Sequence, residues 1–330
     1  MSLPLSILDL APLAAGQKSG DAVAKSVELA QHAETLGFER VWYAEHHSLP
    51  GIASTAPDLM IAHVGAHTKR IRLGAGGVML PNHAPLRVAE VYRLLEAMHP
   101  GRVDLGLGRA PGTDQRTALA LRGSHALLMR DDFPQQLDEL VAWGADAAPF
   151  PGVVAQPDDA PLPPIWLLGS SDYSARLAAA RGYPFAFAAH FSPAPPDGPM
   201  LGYHDAFRPG VTAAPRSMLA VAAFCAETDE AAEDLARPAL VAFARLRTGR
   251  PTRPPSLEEA RAYRFTPMEE AVAAQIRQTQ IIGTPDAVAA RVAALAERTR
   301  ASEVIVASHA VDHDGRLRSF ELLKRAWEAR

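Results

Sequence analysis

Strand-like and helix-like segments alternate along nearly all 330 residues, which predicts one α/β domain folded as a TIM (β/α)8 barrel with insertions. Two further observations support that fold class. Eight such units fit a chain of this length. Polar and ionisable residues also gather just after the apolar runs, where barrel strands converge on one mouth. An open doubly wound sheet is the competing fold, but no dinucleotide-binding glycine fingerprint follows the first strand.

The first strand is Leu5 to Leu10. Asp21 reads as the N-cap of a helix whose apolar positions Val23, Val27, Ala30 and Ala33 keep helical spacing up to Gly37. Arg40 to Ala44 is the second strand, and a helix runs from about Pro57 to Thr68. The third strand, Ile71 to Leu80, is interrupted by Gly74, Gly76 and Gly77. A helix opening near Pro85 should turn Val88, Val91, Leu94, Leu95 and Met98 inward. The fourth strand, Arg102 to Leu107, leads into Gly108-Arg109 and a Gly-rich loop, and a helix then runs to Trp143. Next come a fifth strand, Ile165 to Leu168, a helix to Arg181, and a sixth strand, Phe185 to Ala189. Met218 to Cys225 and Glu303 to Ala307 supply the seventh and eighth, with helices between 228 and 300 and a last one from Arg316. Pro-rich stretches at 149–164, 193–199 and 251–255 read as surface loops, so residues 1–330 form a single domain.

Composition narrows the function classes. Apolar residues make up 48% and charged residues 21%, ordinary for a globular protein with a large core. A net charge of -4 gives no field that would gather nucleic acid or an anionic membrane. The single cysteine, Cys225, lies in an apolar run and reads as a small core residue. No signal-peptide pattern or spanning-length apolar stretch is present, so a cytoplasmic location is expected.

Chemistry is concentrated at the strand ends. The second strand ends in Glu45-His46-His47, one carboxylate and two imidazoles at an apolar terminus where burial can move their pKa values. A metal pair of His46 and His47 is disfavoured, because adjacent strand residues face opposite ways. Gly76-Gly77 stands where side chains should fill the barrel, so it marks either a bulge or a place left open for a flat ring. The fourth strand delivers Arg109, which either holds an anion or pairs with Glu45 or Asp104. After the fifth strand, Ser170, Ser171 and Ser174 open a helix. Free amides, two hydroxyls and a neighbouring guanidinium suit a phosphate, although Asp172 opposes one unless it points away. A plain serine cap is the alternative. His190 reads as a wall residue.

Taken in order, Trp42 to His47, Ile71 to Pro81, Pro85 to Glu90, Gly101 to Asp114, Trp166 to Ser171 and Ile282 to Pro285 resemble the bacterial luciferase-like family of flavin-dependent monooxygenases. The resemblance spans nearly the whole chain and is nearer to the single-chain oxidoreductases of unassigned substrate than to the light-emitting heterodimer. It implies FMN bound at the mouth of a TIM barrel. Arg109, Ser171 and Ser174 match positions that hold the FMN phosphate, with the Ser170 amide assisting. Gly76-Gly77 matches a non-prolyl cis peptide beneath the flavin ring. His46 matches an acid–base histidine, and Glu45 a buried carboxylate near the ring and a subunit contact. Light-emitting members carry a cysteine where this chain has Gly108, so luminescence is not expected.

The implied activity is oxidation of a small organic substrate by O2 through a flavin hydroperoxide, with reduced FMN supplied by a separate flavin reductase. A homodimer formed through the early helices is implied as well. Two alternatives stay open: hydride transfer with a deazaflavin coenzyme, and a flavin-binding barrel without catalysis. The substrate has no signature in the loops at 109–133 and 190–217.

Overall fold

The structure, a computed structural model, describes residues 3–145, 147, 149–192 and 194–330. Its strands are β1 (Leu5–Asp9), β2 (Arg40–Tyr43), β3 (Arg72–Met79), β4 (Val103–Gly108), β5 (Ile165–Gly169), β6 (Phe185–Ala188), β7 (Ser217–Cys225), β8 (Gln280–Gly283) and β9 (Glu303–Ala307). All pair in parallel. The ring closes through β1 to β7 in sequence and then β9, which returns to β1. That is an eight-stranded TIM-type barrel, as the alternation of segments predicts.

β8 is an addition. It pairs with the upper half of one β7 edge, Ala222 to Cys225, above the stretch that pairs with β9. Only two of its four residues, Ile281 and Ile282, are apolar, too few to register as a strand by pattern alone. Other departures are local. Asp21 is not the N-cap but the third residue of helix Ser19–Leu36, and its carboxylate accepts a hydrogen bond from the Lys18 amide. The third Pro-rich loop stays irregular, whereas the second gives way to a helix at Asp197–Asp205; Pro193 lies outside the described residues. The first Pro-rich loop is held down by Arg93, which is buried in helix Pro85–Met98 and donates to the carbonyls of Ala155, Asp158 and Ala160.

Helix Pro85–Met98 also corrects the inward face expected of it. Val88, Ala89, Tyr92 and Leu95 are buried, but Leu94 and Met98 are half exposed. Its apolar residues span more of the circumference than one packed stripe can hide, so the outer edge faces solvent. Leu59, on the adjoining helix Pro57–Gly65, is 70% exposed.

Alternation along the strands sorts side chains into two cores. Outward residues such as Ile7, Val41, Leu73, Leu105 and Val306 pack under the helices. Inward residues form a separate cluster with Leu8, Trp42, Trp166, Met218 and Ile305 at its centre. The Trp42 and Trp166 rings meet edge to face, with centroids 5.7 Å apart. Below them, Arg40 donates through Nε and Nη2 to the two carboxylate oxygens of Glu303 (2.7 and 2.9 Å) and through Nη1 to Asp104 (2.6 Å). All three groups are almost fully buried. Burial opposes the Arg40 charge, but the two carboxylates outweigh it and raise its pKa.

Removing one partner of such a network strands an uncompensated buried charge. Arg40→Met is expected to lower stability by about 3–5 kcal/mol. Urea denaturation measures this, and adding Glu303→Leu to that variant should recover part of the loss. No recovery would mean that the penalty is lost packing, not stranded charge.

Candidate active site

Trp42 floors a cleft of about 1020 Å³, measured out to its open rim, at the C-terminal ends of the strands. Its wall includes His46, Gly76, Gly77, Arg109, Ser170, Ser171 and Ser174. These residues come from the ends of four strands and are separated by up to 128 positions in the chain, yet they share one opening. Glu45 does not line it.

Gly76-Gly77 is a non-prolyl cis peptide, and the β3–β4 register shifts between Ala75 and Val78. The bulge and the open wall are therefore features of the same place. The glycines do not leave a void, however. A Cβ at Gly76 would come within 2.8 Å of Leu8 Cδ1, and one at Gly77 within 2.8 Å of the Gly106 carbonyl oxygen. Close packing beneath the peptide requires glycine, and the bare backbone itself becomes the wall.

Arg109 pairs with neither Glu45 nor Asp104. Its guanidinium stacks over the Tyr173 ring at 4.0 Å and touches the exposed Asp131 carboxylate only at 3.5 Å. Asp104 is engaged by Arg40, Arg72 and the Trp42 indole. Arg109 is 42% exposed, so its charge faces the rim without a strong internal partner.

Ser171 precedes helix Asp172–Arg181 in extended conformation, and its hydroxyl makes no capping hydrogen bond. The plain serine cap is thus not formed, and the first amides of the helix are free to meet an anion. Ser174, one turn on, is buried and lies so close that a Cβ at Gly169 would fall 2.6 Å from its Oγ. Asp172 is exposed and is not part of the cleft wall. Its carboxylate does not oppose a phosphate there. Amides, hydroxyls and guanidinium make a donor set with the chemistry an FMN phosphate requires.

The Glu45-His46-His47 run divides by strand alternation. His46 turns to the cleft. Its Nδ1 lies 3.2 Å from the Gly112 carbonyl oxygen, which can only accept, so Nδ1 carries the proton and Nε2 is the free base. Gly112 can approach because it adopts φ +67°, and a Cβ there would sit 2.7 Å from the Glu45 carbonyl oxygen. Burial lowers the His46 pKa below its ordinary value. Glu45 turns the other way. It accepts from His47 Nε2 (2.9 Å), His83 Nε2 (2.9 Å) and the Met79 amide (2.9 Å). Burial alone would raise its pKa, but the hydrogen bond and charge of His83 lead the opposing effects and bring it below the usual carboxylate value. The same bond raises the pKa of His83.

Two more histidines join the mouth. His190 lines the cleft, and burial followed by the charges of His309 and His46 lowers its pKa to about 3. His309, just after β9, is brought to about 4 by burial, Arg316 and His46. Sequence reasoning passed over His309, although a polar residue after an apolar strand is the signal that identified His46. Tyr173, the platform for Arg109, carried no comparable signal. Among the described residues, no group of three or more His, Cys, Asp or Glu side chains could hold a metal ion. No helix there is long and apolar enough to cross a membrane.

A parallel barrel that gathers imidazoles, hydroxyls and a guanidinium at its C-terminal mouth has the architecture of a TIM-barrel enzyme. Comparison with known proteins specifies the class. A family model described as luciferase-like monooxygenase matches residues 3–303, and the chain belongs to that family. It is an enzyme, a luciferase-like monooxygenase. The Uncharacterized protein YvbT of Bacillus subtilis (strain 168) is 41% identical over 328 residues, covering 99% of this chain and 97% of the relative. A luciferase-like monooxygenase of Escherichia coli (strain K12) is 40% identical over 323 residues, covering 97% and 96%. The N-acetyl-S-alkylcysteine monooxygenase of Bacillus subtilis (strain 168) is 40% identical over 188 residues, 56% of each chain. Among solved structures, apo-MsnO8 superposes with a TM-score of 0.89 at 34% identity over 100% of this chain and 98% of that one. Two others share the fold alone. The oxygenating constituent of 3,6-diketocamphane monooxygenase from Pseudomonas putida, in complex with FMN, has a TM-score of 0.73 at 19% identity and covers 100% and 99%. An F420-dependent secondary alcohol dehydrogenase has 0.70 at 15% and covers 99% of each chain.

The neutral histidines make stability depend on pH. An imidazole with a lowered pKa stays unprotonated in the folded chain while the unfolded chain takes up a proton. Their contribution is therefore complete above pH 6.5 and falls away as pH drops toward about 4 for His309 and about 3 for His190. Urea midpoints measured between pH 4.5 and 7 should fall on acidification, and less steeply in a His190→Asn, His309→Asn double variant. Equal slopes would show that carboxylates alone carry the dependence.

Proposed function

We propose that this monooxygenase uses FMN, delivered reduced by a separate flavin reductase, together with O2 to oxidise a small organic substrate. One observation carries the reading: Arg109, the Ser170–Ser174 helix start, the Gly76-Gly77 peptide and His46 all face a single cleft. Arg109, the Ser171 and Ser174 hydroxyls and the Ser170 amide would hold the phosphate, and the cis peptide would lie against the ring. When bound, the reduced flavin supplies the oxygen chemistry. The protein binds, orients and excludes water. His46, neutral and with Nε2 free, takes or returns a proton at that nitrogen. Glu45 acts as a positioning residue behind the wall, anchoring the Met79 amide that follows the glycine step.

The test is a titration with oxidised and reduced FMN followed by mixing with oxygen. Reduced FMN should bind and consume O2 with substrate oxidation. Binding without oxygen uptake, together with substrate-dependent reduction of a deazaflavin, would replace the reading by hydride transfer. Flavin binding with neither reaction, across a broad substrate panel, would leave a non-catalytic barrel.

Two variants probe the roles. Arg109→Ala should weaken FMN by about ten- to a hundredfold, as loss of a charge-assisted hydrogen bond predicts, and leave riboflavin unchanged. His46→Ala should keep FMN affinity and lower substrate turnover by about a hundredfold or more. Equal loss for both flavins, or unchanged turnover, would refute the respective role.

The exposed Leu59, Leu94 and Met98 on two packed early helices support a homodimer through that face. Leu59→Glu with Leu94→Glu should halve the mass seen by light scattering. An unchanged mass would remove this face from any dimer.

A further inference from the structure

Beside the main cleft lies a second recess of about 500 Å³, measured to its open rim. Three insertions build it: the loop Leu49–Ile52 after β2, one face of helix Asp229–Arg247, and the turn at 251–254. Leu10, at the end of β1, lines both this recess and the cleft. Its walls are almost wholly carbon, and among the described residues no Asp, Glu, Lys or Arg lines it.

Two residues of that lining carry polar side-chain atoms. Thr252 Oγ1 and His309 Nδ1 are buried with no hydrogen-bond partner among the described residues. The His309 ring leans on Phe243, with centroids 5.0 Å apart. Buried polar groups without partners are uncommon in folded proteins, and two in one apolar recess ask for a ligand group that completes them. A charged ligand would find nothing to neutralise it there. A wholly apolar one would leave both atoms unmatched.

We infer that this recess is a substrate subsite, taking a short aliphatic arm that carries a neutral hydrogen-bonding group, with that group meeting Thr252 and His309. The inference names a substrate class for the oxygenase reading and rests on it for the word substrate. Leu10, shared by both spaces, is the point at which such a molecule would turn from the recess toward the cleft.

Binding of 1-hexanol to the full chain, followed by saturation-transfer NMR without flavin, tests the subsite. FMN titration is run separately on the same samples. Wild type should bind 1-hexanol and should not bind hexanoate detectably. Ala242→Phe, which fills the recess, should weaken 1-hexanol at least tenfold with FMN affinity unchanged. Thr252→Val, nearly the same shape, should weaken it severalfold and keeps the test alive should the larger change disturb folding. No binding by wild type, or equal binding by the filled variant, would overturn the subsite while leaving an FMN result intact. Hexanol binding that follows the variants in a protein that fails to bind FMN would keep the recess and overturn the oxygenase reading.

Discussion

The buried Arg40 guanidinium, clasped by Glu303 and Asp104, is the interaction around which the barrel is arranged. Arg40 opens β2, Glu303 opens β9 and Asp104 lies on β4, so one planar cation joins strands across the lumen. Ser6 of β1 adds its hydroxyl to Glu303. Arginine suits this place because its fork donates to two carboxylates in fixed directions. With charge satisfied at the base, the next inward layer can be apolar. Trp42 and Trp166 fill it, and the Trp42 indole still reaches Asp104 at 3.2 Å. Gly74 opposes Trp42 across the ladder, where a Cβ would sit 2.5 Å from the indole nitrogen. Large rings on some strands therefore demand absent side chains on others. Above that layer the inward positions shrink to Ala44, Gly76, Gly108, Ala188 and Ala220, and the lumen opens into the cleft.

Electrostatics divide along the same pleat. The one carboxylate of the Glu45-His46-His47 run faces away from the lumen, where two imidazoles and an amide hold it charged. The lumen side receives His46, flanked by His190 and His309, all pushed toward the neutral form by burial. A mouth lined with neutral imidazoles accepts an uncharged ring without a desolvated counterion. The positive charge is kept at the rim, on Arg109, where solvent reaches it and a phosphate can meet it. Separating a dry interior from a charged lip is an arrangement that suits a reaction from which water must be excluded.

Much of this was legible in the chain because two rules act together: apolar runs of strand length, and polar residues immediately after them. They identify the barrel, His46, Arg109 and the serine cluster. What escaped them has a physical reason in each case. β8 has only Ile281 and Ile282 as apolar residues and is stabilised by pairing with β7 rather than by its own pattern. The outward turn of Leu94 and Met98 follows from how much of the helix circumference the barrel can cover, which a helical wheel does not contain. The direction of Glu45 depends on His83 and the Met79 amide, 38 and 34 positions away, which no local pattern contains. Gly76-Gly77 was read as a bulge or as space for a ring, and both features are present; the contact from beneath that also requires glycine, from Leu8 and Gly106, has no local signal.

The two spaces at the mouth differ in what builds them. His46, the glycine step, Arg109 and the serines lie at the ends of β2 to β5, held by the ladder and the Trp layer below, so their positions are tied to closure of the barrel. The recess is made by insertions, a loop after β2 and the helix and turn between β7 and β8, which can change length and side chains without disturbing that closure. Only strand-end residues, Leu10 and His309, belong to both structural levels at the recess. An enzyme built this way can keep its strand-end site while the neighbouring recess varies. His309 touches on both, because it lines the recess and the His46 charge is among the effects, after burial and Arg316, that oppose its protonation. A neutral polar group docked there would satisfy His309 without bringing charge toward the cleft, and the interior would stay dry on both sides.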